Sequence, residues 1–261
     1  MRFTNFEIHL VEHCNLRCQS CDNFSSLAEE EYVDVDYFAK EMKQMSKVAG
    51  HQINKIRLLG GEPLLHPQLN ELLKITRDCF PSTQILLTTN AILLDEMSEE
   101  FWNVCHDNNI VIEYTFYPVN LDRQKHKDLA NQYKVTLIPF DNIPTEIKIS
   151  HRNPVNDKGD QDVYYNYEHC YQRWRCMSLK DGKLYPCTCI PNIYHFNKYF
   201  NKNIPVTDKD YIDIFKVNDV TEIEAFLNHE VPFCAYCNVR NRTNGKPWAV
   251  TKFQLEEWFD A

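Results

Sequence analysis

The sequence predicts an α/β fold: a barrel-like parallel sheet ringed by helices, followed by a smaller cysteine-rich unit. Three observations carry this. Through residues 1–150, apolar runs of strand length alternate with helix-period segments, the pattern left by repeated β-α units. With 261 residues, 43% hydrophobic and 25% charged, the chain can bury a full core. Six of its eleven cysteines lie beyond residue 168.

The elements follow in order. Phe6–Val11 reads as a first strand, and Asp34 caps a helix whose apolar face is Phe38, Met42 and Met45, stopped by Gly50. Ile56–Leu59 is a second strand. Leu69, Leu72, Leu73, Thr76 and Cys79 share one helical face, Pro81 ends that helix, and Ile85–Thr89 is a third strand. Met97, Phe101, Val104 and Cys105 form the next stripe, before a strand at Ile110–Phe116, a polar helix near Leu121–Lys134 and a strand at Val135–Ile138. A sixth strand is expected at Ile147–Ser150. Chemistry in such a barrel sits at the carboxyl ends of the strands. Residues 151–168 turn polar and read as a connector, leaving 169–261 as the second unit. In that unit Asp181-Gly182 signals a two-residue hairpin turn, and Thr221-x-x-Glu224 and Thr251-x-x-Gln254 read as helix capping boxes.

Charge and targeting narrow the function. Lys+Arg 28 against Asp+Glu 37 gives a net charge of -9, which argues against nucleic acid as a partner. Residues 1–10 alternate apolar and polar, with no secretory pattern, and no run approaches the roughly 18 apolar residues of a membrane span. The chain therefore reads as cytoplasmic, without a membrane partner. Disulfides lose their usual rationale there, so the cysteines need another role.

Cys14, Cys18 and Cys21 fall in the loop after the first strand. Three close thiolates can hold three corners of a 4Fe-4S cluster and leave one iron open. The bland alternatives are three buried cysteines, or a zinc site completed by His9 or His13. This Cys-x3-Cys-x2-Cys loop resembles the radical S-adenosylmethionine (SAM) superfamily. Gly60-Gly61-Glu62-Pro63 after the second strand is similar to the family segment that meets the SAM amino group, and Thr89-Asn90 after the third strand is similar to another family segment. The resemblance implies a partial (β/α)6 TIM-like barrel, with SAM as cofactor and Gly60, Gly61, Glu62, Pro63, Thr89 and Asn90 as cofactor-binding residues. Two departures stand out. Ala91 replaces the family glycine and should have ordinary backbone angles, and Ser20 stands where many members carry an aromatic residue beside the adenine. Tyr114 and Thr115 read equally as groups facing SAM or as barrel filling.

In the second unit Cys170, Cys187, Cys234 and Cys237 resemble the twitch domain, the short version of the SPASM extension of these enzymes. That resemblance implies a second, auxiliary 4Fe-4S cluster in a small α+β domain. A strict two-residue hairpin turn instead places Cys176 opposite Cys187, with Cβ atoms roughly 5 Å apart, so Cys176 is the alternative to Cys170. Cys189 has no assignment, and Cys79 and Cys105 read as core residues.

The resulting expectation is a radical SAM enzyme. A flavodoxin- or ferredoxin-type donor would reduce its first cluster, and a 5'-deoxyadenosyl radical would take hydrogen from a small, polar, carbohydrate-like substrate. Dehydrogenation or epimerisation would follow, with Cys176 or Cys189 as candidate catalytic hydrogen-atom donors in the latter. The alternatives are maturation of a ribosomally made peptide and a zinc-stabilised, non-enzymatic binding protein.

Overall fold

Strand β1 (Asn5–Val11) alternates Phe6, Ile8 and Leu10, which are buried in the main core, with Glu7 and His9 on its other face. The same alternation marks β2 (Lys55–Gly60), where Ile56 and Leu58 flank Arg57, and β4 (Ile110–Tyr114), where Ile112 precedes Glu113. With β3 (Gln84–Thr89) and β5 (Leu137–Pro139) these strands pair in parallel in the order β5-β4-β3-β2-β1. The computed structural model describes residues 2–140 and 149–260.

Helices α1 (Val35–Ala49), α2 (Leu69–Cys79), α3 (Glu99–Asp107) and α4 (Arg123–Gln132) connect these strands. Asp34 caps α1 by accepting from the Tyr37 N–H at 2.8 Å, and the expected stripe of Phe38, Met42 and Met45 is fully buried. Each such side chain contributes about 1.5–3 kcal/mol through removal from water.

The sixth parallel strand is not the expected one. Of Ile147–Ser150, residues 147 and 148 lie outside the described residues. Strand β6 (Ile149–Arg152) pairs antiparallel with the late strand β10 (Thr243–Pro247) in a separate two-stranded sheet. The partner of β1 on its free side is β7 (Ser178–Lys180), which runs parallel to it with Glu7 opposite Ser178. From there β8 (Lys183–Tyr185) and β9 (Ile212–Asp213) extend the sheet antiparallel, giving eight strands. Asp181 and Gly182 both have positive φ, 51° and 70°, as the tight hairpin turn requires.

Helix α5 (Val163–His169) begins within the expected connector and ends one residue beyond it, and α6 (Cys189–Phe200) and α7 (Val220–Leu227) follow the hairpin. A second core forms around Phe24, Tyr185, Ile190, Phe196, Phe233 and Trp258. Neither capping box forms. Asp219 caps α7, and Glu224 accepts from the Phe3 N–H at 3.0 Å; Thr251 meets Glu257 rather than capping a helix.

Candidate functional site

The carboxyl ends of β1, β2 and β3 are bound together by backbone. The Gly61 N–H donates to the Val11 carbonyl at 2.7 Å and the Glu62 N–H to the His13 carbonyl at 3.1 Å. Gly60 has φ +140°, and a Cβ on Gly61 would sit 1.8 Å from the His13 oxygen. Both glycines are therefore required by the loop beside them, whatever else approaches. The fully buried Glu62 turns inward: its Oε1 accepts from the Leu64 N–H at 3.1 Å and the Thr89 hydroxyl at 2.6 Å, and its Oε2 from the Asn90 N–H at 2.9 Å. Burial raises its pKa to about 7. Asn90 in turn donates to Asn15 Oδ1 at 2.7 Å and lies 3.7 Å from the Cys14 sulfur.

Ala91 corrects one expectation. Its φ is 64°, the left-handed conformation the family glycine would adopt freely. Two local hydrogen bonds hold it there: Thr89 Oγ1 accepts from the Ala91 N–H at 3.0 Å, and Asn90 Oδ1 from the Ile92 N–H at 2.9 Å. Ser20 is left-handed as well, and its hydroxyl donates to the Glu257 carbonyl at 2.8 Å.

These loops open on a cavity of about 230 Å³. Cys14, Cys18, Cys21, Gly60, Gly61, Thr89 and Asn90 line it, whereas Glu62 and Pro63 do not. Thr115 lines it too, while the Tyr114 ring packs on Phe116. The sequence reading missed the charges on its floor. Arg57 makes two 3.0 Å hydrogen bonds to Glu113, which also accepts from the Thr88 hydroxyl at 2.8 Å. The Glu7 side chain lines the same cavity, and burial lifts its pKa to about 8 against the pull of Arg57. Asp22 accepts from the Tyr171 hydroxyl. The signal was available: buried parallel strands read as near-continuous apolar runs, and charges at every second position mark a polar interior face.

None of the three cysteines is in a disulfide, and burial raises the pKa of Cys14 and Cys21, the latter to about 11. Grouped thiols that resist ionisation suit a metal group whose positive charge makes thiolates favourable. Among the described residues no three His, Cys, Asp or Glu side chains are grouped so as to hold a single metal ion.

A second cavity is lined by Cys170, Cys187, Cys189, Cys234 and Cys237, with Ile190, Val231 and Phe233. Cys170 is near enough to raise the pKa of Cys187 and Cys234, on top of a larger burial effect, and the Cys189 and Cys237 thiols share a hydrogen bond. Cys176 lines the first cavity, not this one. The hairpin register that would have set it opposite Cys187 holds only as far as Ser178 and Tyr185. Pro186 has no N–H to continue the ladder, and the Cys176 N–H donates to Gln172 instead. Cys105 is buried on α3 and Cys79 packs against the main core, as expected.

Glu12 is buried and lines a separate cavity with His9 and Lys180. It meets His195 and Lys180 at 2.9 Å each, and with His9 they hold its carboxyl well below the usual range despite burial. Thr188, between Cys187 and Cys189, donates to Asn23 at 2.8 Å, and Asn23 donates to the Gly60 carbonyl at 3.3 Å.

Comparison with known proteins agrees with the barrel. Residues 8–118 match the Radical SAM superfamily. The fold resembles the crystal structure of BtrN in complex with AdoMet and 2-DOIA, with a TM-score of 0.54 at 16% identity over 91% of this chain and 94% of that one. The GTP 3',8-cyclase of Chlorobaculum tepidum is 36% identical over 126 residues, 48% of this chain and 36% of that protein. The GTP 3',8-cyclase of Sulfurovum sp. is 36% identical over 36% of this chain and 28% of that protein. The chain thus spans about a third of the length of these curated relatives. Their name overturns the expected dehydrogenation or epimerisation of a carbohydrate-like substrate, and peptide maturation and zinc-stabilised binding fit no better. The hydrogen-donor roles of Cys176 and Cys189 lose the reaction that called for them. Among the described residues no helix is long and apolar enough to cross a membrane. Family match, strand order and the cysteine loop agree that this chain carries a radical SAM superfamily domain at its barrel.

Proposed function

We propose that the chain is a radical SAM enzyme acting on a small molecule held in the first cavity. One observation carries this: Cys14, Cys18 and Cys21 share a single cavity with Gly60, Gly61, Thr89 and Asn90 at the carboxyl ends of β1 to β3. The three cysteines hold three corners of a 4Fe-4S cluster, and SAM lies against the strand-end residues. Reduced by a flavodoxin- or ferredoxin-type donor, a cluster held by Cys14, Cys18 and Cys21 would supply the one electron for reductive cleavage of SAM. The protein's part is to hold and seclude. The Gly60 and Gly61 backbone lines the cavity. Glu62 acts one step back, fixing Thr89 and Asn90 through its hydrogen bonds, which refines the expected direct contact with SAM.

The four cysteines Cys170, Cys187, Cys234 and Cys237 hold a second 4Fe-4S cluster in a twitch-type unit spanning 169–261. Cys170 is favoured over Cys176 because it lines the cavity with the other three. The apolar lining suits electron transfer or a structural role.

GTP is the substrate to test first, because the relatives act on it by name. Ring closure at its 3' carbon must remove that carbon's hydrogen. The Asp22 carboxylate in the cavity works against a polyphosphate, so the two questions are tested separately. The test begins with anaerobic reconstitution with iron and sulfide, reduction, and chromatography for 5'-deoxyadenosine. A brown protein that produces it supports the enzyme; a colourless one, or one that produces none, overturns it. Deuterium passing from 3'-deuterated GTP into 5'-deoxyadenosine supports the substrate. Unlabelled product removes GTP and leaves SAM cleavage standing.

A further inference from the structure

We propose that Trp248, with Tyr117 beside it, tunes the reduction potential of the first cluster by hydrogen bonding to the Cys18 sulfur. This rests on the cluster proposed above. The Trp248 Nε1–H donates to Cys18 Sγ at 3.1 Å across 230 residues of sequence. The Tyr117 hydroxyl reaches the same sulfur. The two rings meet edge to face, with centroids 5.8 Å apart at 72°, so each restrains the other.

The backbone makes this placement deliberate. Trp248 directly follows β10, which β6 anchors. The Gln19 N–H donates to the Ala249 carbonyl at 2.9 Å and the Thr251 N–H to the Arg17 carbonyl at 2.8 Å, with Cys18 bridged antiparallel to Val250 between them. Further on, the Trp258 Nε1–H donates to the Cys21 carbonyl at 3.1 Å. Residues 248–258 thus form a strap across the cysteine loop, fixed at several points, that aims an indole N–H at one ligand sulfur and leaves the cavity open. The Trp248 indole N–H is a donor only and cannot ligate iron in place of a thiolate.

The sign follows from charge. A cluster gains negative charge on reduction, and part of it resides on the ligand sulfurs. Donors to a sulfur stabilise the reduced form more than the oxidised one and raise the potential. Trp248 and Tyr117 are positioning residues here, acting through Cys18.

The test uses the full chain, reconstituted anaerobically. Electron paramagnetic resonance follows the redox titration of the signal that changes when SAM is added, which isolates the first cluster. Trp248→Phe should shift its potential downward with iron content unchanged. Tyr117→Phe, which keeps the ring, should shift it the same way, and the double variant further still. An unchanged or higher potential at full iron content overturns the proposal. Loss of first-cluster iron from Trp248→Phe also overturns it, by making the residue a retainer of the cluster. Wild-type protein that takes up no iron sinks the cluster itself, and is distinguished by its colour.

Discussion

The two cysteine cavities differ in number of thiols, lining and closure. The first has three thiols from one short loop and a fourth, Cys176, from a distant segment, with charged groups on its floor and strand-end backbone at its rim. The second gathers its thiols from three separate stretches, Cys170, Cys187 with Cys189, and Cys234 with Cys237, and is walled by Ile190, Val231 and Phe233. Three thiolates leave one corner of a cluster for an incoming molecule, and polar walls can orient that molecule. Four thiolates behind apolar walls leave it nowhere to bind. On the proposed function, the contrast would put chemistry at the first site and support at the second.

The sharpest break to this comparison is a pair of cysteine removals. Cys18→Ala should abolish 5'-deoxyadenosine formation while the iron of the second site remains; formation persisting at a tenth of wild type would dismantle the division. Cys187→Ala should do the reverse, losing about half the total iron while SAM cleavage without substrate continues. Cys176→Ala should leave the iron content unchanged, and iron lost there would return that residue to the ligand set.

A smaller effect separates the charged floor from the apolar walls. Glu7 has its pKa raised from 4.5 to about 8 by burial, so the folded chain binds more protons than the unfolded one in between. Stability then falls as pH rises from about 5 to about 8, the sign opposite to that of a salt-bridged carboxylate. Glu7→Gln should flatten this slope in urea unfolding of the metal-free chain. A slope that stays the same places its source elsewhere.

The smallest effect lies at the rim. Ala91→Gly removes a left-handed alanine at φ 64° and should stabilise the chain by about 0.5–1 kcal/mol after the entropy of glycine is counted. Unfolding midpoints that do not move would mean that Thr89 and Asn90 already offset the strain.

Legibility in the sequence followed the same divide. The barrel was readable because its strands and helices are local: Asp34, the Phe38–Met42–Met45 stripe and the cysteine loop each announce themselves within a few residues. What escaped depends on contacts between distant segments. The sixth parallel strand is Ser178–Lys180 because β1 needed a partner, and no local pattern could reveal that Ile149 and Ser150 pair with Pro247 and Lys246. Ala91 misled because its conformation is set by Thr89 and Asn90 rather than by its own propensity. The meeting of Glu12 with His195 was hidden, since it spans 183 residues and no local pattern marks it.

The direct pairing of β1 with β7 has a consequence for dissecting the molecule. A chain cut after residue 168 would keep every residue of the radical SAM match and still lose β7, baring the unpaired backbone of β1 along a sheet edge. Exposed edges of this kind recruit other strands, and the shortened barrel should self-associate in proportion to its concentration. The second unit is therefore a selvedge for the first, and the two are best handled as one piece.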